Sequence, residues 1–265
     1  DDCNLHGNGL SSHVELKGRT NWTGGSLNHV HLVANCPGTA SFKGLAGTAY
    51  GTWLECTGNG TRLDDFQFFD SRLSLTDAHP LSWIKGCSFD GGTSAQFPQL
   101  SVSNSEPSIR CENCIFSSHS KGIEIEEGIL NISCSEFENL IEALNLNDDG
   151  IVDMTAQNGR NNLHDNATHF RLNNAPVPLL ADGNNRIGSC NDATISGSSP
   201  IETAAAGGSL LQSLTGNFWP NASAGVPLLV PYTNVYSSID GGSIQFKDMS
   251  PAESTCLSLG LVENS

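Results

Sequence analysis

A short sequence motif recurs along the chain at a nearly constant interval. Its copies are "LDDFQF", "IKGCSF", "CENCIF", "ISCSEF" and the degenerate "MTAQNG", which start at residues 63, 84, 111, 132 and 154. The intervals between starts are therefore 21, 27, 21 and 22 residues. The first position is always apolar, and the sixth is Phe in four copies and Gly159 in the last. The third position is small or turn-forming: Asp65, Gly86, Asn113, Cys134 and Ala156. A fixed period of about 20 residues is typical of a solenoid, in which successive coils stack.

Within one coil the apolar residues alternate with polar ones, which is the period of a β-strand. The segment "GIEIEEGILNIS" (122–133) places Ile and Glu on opposite faces, and "ALNLNDDG" (143–150) repeats the alternation 21 residues later. Coils of about 21 residues with three short strands predict an all-β, parallel β-helix. A leucine-rich repeat has an overlapping period, but only "IEALNL" (141–146) fits its template, and the recurring Phe is then unexplained.

The phased units resemble the right-handed parallel β-helix superfamily over roughly residues 26–220, and "TGNFWPN" (215–221) is similar to an element near the end of such repeats in secreted bacterial proteins. The composition changes after Trp219, so we expect a right-handed parallel β-helix over residues 1–220 and a C-terminal cap or extension over residues 221–265. The resemblance implies no single activity, because the superfamily includes pectate lyases, polygalacturonases, adhesins, phage tailspikes and surface stalks.

The one long interval in the repeat predicts an insertion. The step of 27 residues requires about six extra residues around "GGTSAQFPQLSVSNSEP" (91–107). We expect these residues to form a loop that projects from one corner of the solenoid, a position where loops often carry binding function.

The charge of the chain disfavours two classes of partner. There are 28 acidic residues and 12 basic ones, giving a formal net charge of −16. A nucleic-acid-binding protein needs a basic surface, and an anionic bilayer would repel this one. No apolar run approaches the roughly 18 residues of a membrane span, so we expect neither nucleic-acid binding nor membrane insertion.

Cysteine content and sequons favour an extracellular or cell-surface location. The chain has 9 Cys, which indicates an oxidising compartment. The N-x-S/T sequons are at Asn21, Asn59, Asn131, Asn166 and Asn221. The first residues lack both Met and an apolar signal core, so we expect a mature product or a segment of a larger protein.

Two cysteine pairs are expected to stack in neighbouring coils. Cys87 and Cys114 share the fourth motif position, and Cys36 and Cys56 show a similar relation in "VANCPG" and "WLECTG". Stacked strands lie about 4.8 Å apart, which is compatible with a disulfide. The alternative is a pair of buried thiols that act as small apolar fillers.

An acidic and amide-rich face is the candidate ligand-binding surface. Its residues are Glu124, Glu126, Asn145 and Asn147, joined by Asp148 and Asp149 as candidate metal ligands. Carboxylate and amide oxygens are suitable ligands for calcium, so we expect either no cofactor or a calcium ion at this face. A solvated sheet would display the same polar residues without binding anything.

A catalytic role would depend on Arg160 and His164. Lyases of the resembled superfamily use a basic residue near calcium-bound carboxylates, and Arg160 and His164 with Asp148 and Asp149 are the one cluster of this kind in the sequence. The alternative is a polar loop with an incidental Arg. The related hydrolases carry Gly-His-Gly and Arg-x-Lys motifs, and this chain has neither.

We therefore expect a non-catalytic, secreted or cell-surface β-helix segment of a larger protein, such as a stalk, an adhesin or an exported cargo domain. Its partners would be a glycan or another extracellular component and further β-helix or anchoring domains of the same precursor. The alternative is a polysaccharide lyase or glycoside hydrolase with a groove along one face. Exposed aromatic residues on the Glu124–Asp149 face would favour sugar binding there.

Overall fold

The computed structural model describes most of the first 173 residues as short strands joined by tight turns. The described residues are 4–9, 12–36, 42–58, 60–76, 82–92, 96–103, 109–155, 157–166, 168–173, 175, 179, 185–187, 199–203, 209–213, 236–238 and 243–247. The predicted boundary between residues 220 and 221 lies outside them. No helix in the described part of the chain is long and apolar enough to cross a bilayer.

The strands stack in parallel into three walls, because each coil adds one strand to each wall. Wall A contains β1 (Asn4–His6), β4 (Ser26–Asn28), β7 (Thr48–Tyr50), β10 (Gln67–Phe69), β13 (Ser88–Asp90), β16 (Ile115–Ser117), β18 (Glu136–Glu138), β20 (Asn162–His164) and β22 (Arg186–Ile187). Wall B contains β2 (His13–Lys17), β5 (His31–Cys36), β8 (Trp53–Gly58), β11 (Arg72–Thr76), β14 (Leu100–Ser103), β21 (Thr168–Asn173), β23 (Ser199–Thr203) and β25 (Tyr236–Ser238). Wall C contains β3 (Thr20–Thr23), β6 (Phe42–Leu45), β9 (Arg62–Asp64), β12 (Trp83–Lys85) and β15 (Ile109–Glu112).

Two long strands join wall B to wall C. These are β17 (Lys121–Ser133) and β19 (Glu142–Asp153), each of which pairs with wall B near its start and continues past a register shift. A separate parallel pair is formed by β24 (Ser209–Ser213) and β26 (Ser243–Lys247). The all-β parallel solenoid predicted from the repeat is therefore confirmed.

The recurring Phe residues form one interior column on wall A, as predicted. The column consists of Phe68, Phe89, Phe116 and Phe137. All four are buried, neighbouring ring centroids lie 4.5, 4.7 and 4.9 Å apart, and the stacked rings are at most 6° from parallel. The fifth member was predicted wrongly, because Leu163 rather than Gly159 pairs with Phe137. This coil is longer than the motif alignment allows.

Left-handed turns explain the third motif position. The backbone φ angles at this position are 53°, 63°, 53° and 51° at Asp65, Gly86, Asn113 and Cys134. Gly adopts this conformation freely, and Asn and Asp adopt it more readily than other residues. The next turn of this set is at Arg160, with a φ of 66°, and not at the predicted Ala156.

One of the two predicted cysteine pairs is confirmed. Cys87 and Cys114 are buried free thiols that precede the paired residues Ser88 and Ile115, so they lie next to each other in neighbouring coils. The other pair was predicted wrongly, because Cys56 stacks on Ala34, two residues before Cys36. The two registers differ by two residues, which is one period of strand alternation, so an apolar pattern alone does not distinguish them.

Buried amides take the place of thiols in the later coils. The Asn161 Nδ2 donates to the carbonyl of Ile132, and its Oδ1 accepts from the Ser135 N–H, both at 2.9 Å. At the next corner, the Asn166 Oδ1 accepts from the Leu140 N–H at 2.9 Å, and Asn166 is buried. Each amide satisfies backbone groups that strands leave unpaired at a corner. The sequon at Asn166 therefore lies in the interior of the fold.

The insertion adds the predicted six residues, but it is confined to the segment before Leu100. Leu100 and Val102 pair in register with β11, so residues 100–103 belong to wall B rather than to a loop. The extra residues lie between β13 and β14, at the corner where wall A meets wall B. Within this insertion Phe97 and Pro98 lie beside a groove on the outer surface.

Candidate functional site

The predicted acidic face has the expected register. Glu124 pairs with Asn145 along the strands, and the Asn145 amide donates to the Glu124 carboxylate at 3.0 Å. Asn147 donates to Glu126 at 2.8 Å, and the Asn173 Nδ2 donates to the side-chain Oδ1 atoms of Asn145 and Asn147, both at 2.7 Å. These hydrogen bonds occupy oxygens that a ligand would otherwise use. Ligand binding by this face stays a prediction.

The two candidate calcium ligands lie at the bend between wall B and wall C. Asp148 and Asp149 are exposed, and Asp149 pairs with Glu127 along the strand ladder. Within the described part of the chain, neither carboxylate belongs to a group of three or more side chains that could hold a metal ion. Calcium binding here also stays a prediction.

The candidate lyase residues have different surroundings. Arg160 lines a polar depression of about 500 Å³ with Arg110 and Asn131, at a turn that leads into wall A. His164 lies on the outer side of wall A, where its Nε2 is 2.9 Å from Glu136 and its Nδ1 is 2.7 Å from Asp165. The structure therefore gives His164 carboxylate partners other than Asp148 and Asp149.

His164 is held as a cation by its neighbours. The hydrogen bond to Glu136 raises the pKa of His164 to about 9, against the opposing effect of burial, and Asp165 acts in the same direction as Glu136. The same hydrogen bond lowers the pKa of Glu136. A protonated imidazole between two carboxylates cannot accept a proton, so at neutral pH His164 is unsuited to act as a general base.

Exposed aromatic residues gather at a different place, in a groove at the corner between wall A and wall B. Tyr50 and Phe69 are strand partners on the outer side of wall A, and their rings stack with centroids 5.0 Å apart. Phe97 of the insertion faces the same groove, which has a volume of about 530 Å³. Tyr50 and Phe97 are 42% and 45% exposed, so a ligand can reach both rings. We call this the aromatic groove.

A stack of rings and a guanidinium supports the insertion. The Arg72 Cζ lies 3.8 Å from the ring centroid of Phe97 on one side and 3.8 Å from that of Trp53 on the other. His31 stacks on Trp53 with centroids 3.8 Å apart, and the Trp53 Nε1 donates to Ser74 at 3.0 Å. Cation–π contacts of this kind hold Phe97 in place over the strand surface.

A few polar groups complete the groove. Asp70 is exposed at a left-handed turn, and Arg72 and His119 also line the space. Burial lowers the pKa of His119, so this imidazole is neutral at pH 7. Gly92 allows the ring of His119 to approach, because a Cβ at this position would lie 1.8 Å from the imidazole. The groove thus combines an apolar surface with a small number of donors and acceptors.

The aromatic groove was not predicted, although the repeat contains enough information to predict part of it. Phe68 points inward in the repeat, so alternation places Phe69 outside, and the register then brings Tyr50 next to it. The position of Phe97 could not be predicted in this way, because Phe97 belongs to the insertion and the repeat register does not extend to it. Binding function was predicted for that insertion, but the exposed aromatic residues were expected on the Glu124–Asp149 face.

The chain matches no protein-family model and no curated protein.

Proposed function

We propose that this chain is a non-catalytic β-helix segment of an extracellular or cell-surface protein, and that it binds a neutral glycan in the aromatic groove. The observation that supports the proposal is the cluster of exposed rings at the corner insertion, where Tyr50 and Phe97 flank one concave surface. Binding sites for small ligands are concave, largely apolar and supplied with a few polar groups.

A sugar fits the composition of this groove. The C–H faces of a pyranose are apolar and pack against aromatic rings, while its hydroxyl groups need hydrogen-bond partners. Asp70 supplies an acceptor and Arg72 supplies donors beside the rings. A neutral glycan is preferred over an acidic one, because the net charge of −16 repels polyanions.

The same groove lacks the requirements of a glycosidase. Glycoside hydrolases generally use two carboxyl groups that flank the scissile bond about 5–9.5 Å apart. Asp70 is the one carboxylate among the described residues that line the groove. A single carboxylate can orient a hydroxyl group but does not provide both an acid and a nucleophile or base.

The solenoid supports the wider context of the proposal. We infer membership of the right-handed parallel β-helix superfamily, in secreted form, from the stacked coils and the Phe column together. In this setting the chain would present its groove to a cell-surface or extracellular glycan, and further β-helix or anchoring domains of the same precursor would hold it in position.

Glycan binding is tested with a panel of neutral cello-, xylo-, manno- and chito-oligosaccharides, using saturation-transfer NMR and then calorimetry. The variants Tyr50→Ala and Phe97→Ala should weaken binding about tenfold, because truncating an aromatic contact at an interface costs about 1–2 kcal/mol. Ile115→Ala is the matched control, since Ile115 is 42% exposed on the same wall but does not line the groove.

Two results would refute the proposal. One is the absence of binding to any oligosaccharide of the panel by folded wild-type protein. The other is binding that Tyr50→Ala and Phe97→Ala leave unchanged, which would place the ligand elsewhere. Product release from a bound oligosaccharide would instead support the enzymatic alternative.

A further inference from the structure

Three metal-ligating side chains meet on the outer side of wall A, away from the aromatic groove. Glu138 and His164 are direct strand partners, and Glu136 lies two residues before Glu138 on the same face. One ligating atom from each of the three lies within 4.8 Å of the others. The cluster arises from register, because strand alternation points all three side chains outward from adjacent coils.

A carboxylate outside the cluster orients the imidazole of His164. The His164 Nδ1 is 2.7 Å from the Asp165 carboxylate, so its Nε2 faces Glu136 at 2.9 Å. Histidines that bind metals usually donate their second N–H to a carboxylate, which fixes the ring and the tautomer. Asp165 occupies the position of such a partner.

A buried oxygen beside the cluster has no partner. The Asn162 Nδ2 donates to Glu136 at 3.3 Å, while the Asn162 Oδ1 is buried and accepts no hydrogen bond within the described residues. Turning the amide over would place its oxygen against the carboxylate, so the present orientation is the favourable one. Buried acceptors are normally satisfied. The group that this amide offers to the cluster is its Nδ2, which holds the Glu136 carboxylate in place.

The negative charge of the cluster is only partly balanced. Neither Glu136 nor Glu138 has a Lys or Arg partner in the described part of the chain. The side chains of Glu136 and His164 are 22% and 17% exposed, which limits screening by solvent. A divalent ion would balance the charge more completely than a proton on the imidazole.

We propose that Glu136, Glu138 and His164 form a site for a divalent transition-metal ion such as Zn²⁺. Imidazole together with carboxylate is a ligand set for zinc and similar ions, whereas calcium prefers oxygen ligands alone. Three protein ligands leave an open position for water. Asp165 is a positioning residue that acts through His164.

The test uses the full chain, freed of metal with EDTA and exchanged into metal-free buffer, with Zn²⁺ and Ca²⁺ added in separate calorimetric titrations. Wild-type protein should bind one equivalent of Zn²⁺ at this site, and Ca²⁺ at least tenfold more weakly. Glu138→Gln and His164→Asn should each weaken Zn²⁺ binding at least tenfold, and Asp165→Asn about tenfold. Glu127→Gln is the matched control, because it removes the same charge from an exposed position on another wall.

The Glu138→Gln variant separates a metal site from a simple ion pair, since it removes a ligand and leaves the pair of His164 and Glu136 intact. It also decides the outcome if His164→Asn does not fold, as judged by circular dichroism. The proposal is overturned if wild-type protein shows no saturable Zn²⁺ binding, or if Glu138→Gln binds Zn²⁺ as tightly as Glu127→Gln. Equal affinities for Zn²⁺ and Ca²⁺ would also overturn it.

Discussion

Replacing Phe116 with Ala should be among the most damaging single changes in the fold. The ring is fully buried and stacks on Phe89 at 4.7 Å and on Phe137 at 4.9 Å. Truncating a buried Phe to Ala typically costs about 3–5 kcal/mol, and each lost aromatic pair adds about 0.5–1.5 kcal/mol beyond its buried area. Because two pairs are lost, we expect a loss near the upper end of the first range, about 4–5 kcal/mol.

The comparison variant is Phe137→Ala, which loses one ring contact, because its neighbour in the next coil is Leu163. This variant should retain about 1 kcal/mol more stability than Phe116→Ala. Urea denaturation followed by circular dichroism measures both losses. Equal m-values for the two variants would show that both undergo the same unfolding transition. A loss below about 1 kcal/mol for Phe116→Ala, or a larger loss for Phe137→Ala, would contradict the stacked column.

Three further predictions address catalysis, charge and sulfur. Wild-type protein and Arg160→Ala should both release no product from pectate, alginate or neutral glycans, with or without calcium; activity that Arg160→Ala abolishes would support a lyase instead. In metal-free protein the raised pKa of His164 contributes to the stability of the fold. This contribution is fully present below about pH 6.5, and it is lost as the pH rises through about 9. Among the described residues, the carboxylates beside this imidazole are Glu136, Glu138 and Asp165. The stability gap between wild type and His164→Asn should therefore shrink over that window, and a gap that widens would contradict the assignment. The hydrogen bond with Cys114 and then burial raise the pKa of Cys87, whereas burial and then a hydrogen bond with Cys111 raise the pKa of Cys114. Both should resist alkylation by iodoacetamide at pH 8 until the protein unfolds, whereas rapid labelling of native protein would contradict their packing.

The interior of this fold could be predicted because one physical rule sets it. Strand alternation and a repeated coil length together fix which residues stack inside, so the column from Phe68 to Phe137 followed from spacing alone. The same rule failed where a coil changes length. Arg160 and Leu163 take the positions expected for Ala156 and Gly159, because the last motif copy contains additional residues that spacing does not reveal.

The outer surface was harder to predict from the sequence, since the repeat does not constrain which residues occupy it. Register correctly placed Glu124 beside Asn145, yet it gave no indication that the amide would satisfy the carboxylate. The partnership of Glu138 and His164 depends on the long coil that the motif alignment missed. Phe97 lies in an insertion, where strand periodicity does not predict the direction in which a side chain points.

The aromatic groove and the proposed metal site should act independently, because the stacking of wall A keeps them apart. From Phe69 the outward positions continue through Asp90 and Ser117 to Glu138, which is three strand spacings. At about 4.8 Å per spacing, Phe69 and Glu138 are about 14 Å apart along the wall, which exceeds the Debye length of roughly 8–10 Å at moderate salt. Sites at such a distance with no shared partners usually show additive effects. We therefore expect Glu138→Gln to leave oligosaccharide affinity unchanged and Tyr50→Ala to leave Zn²⁺ affinity unchanged, with the double variant showing the sum of both losses in calorimetry. Coupling above about 0.5 kcal/mol would mean that the coils between them do not form the rigid wall described here.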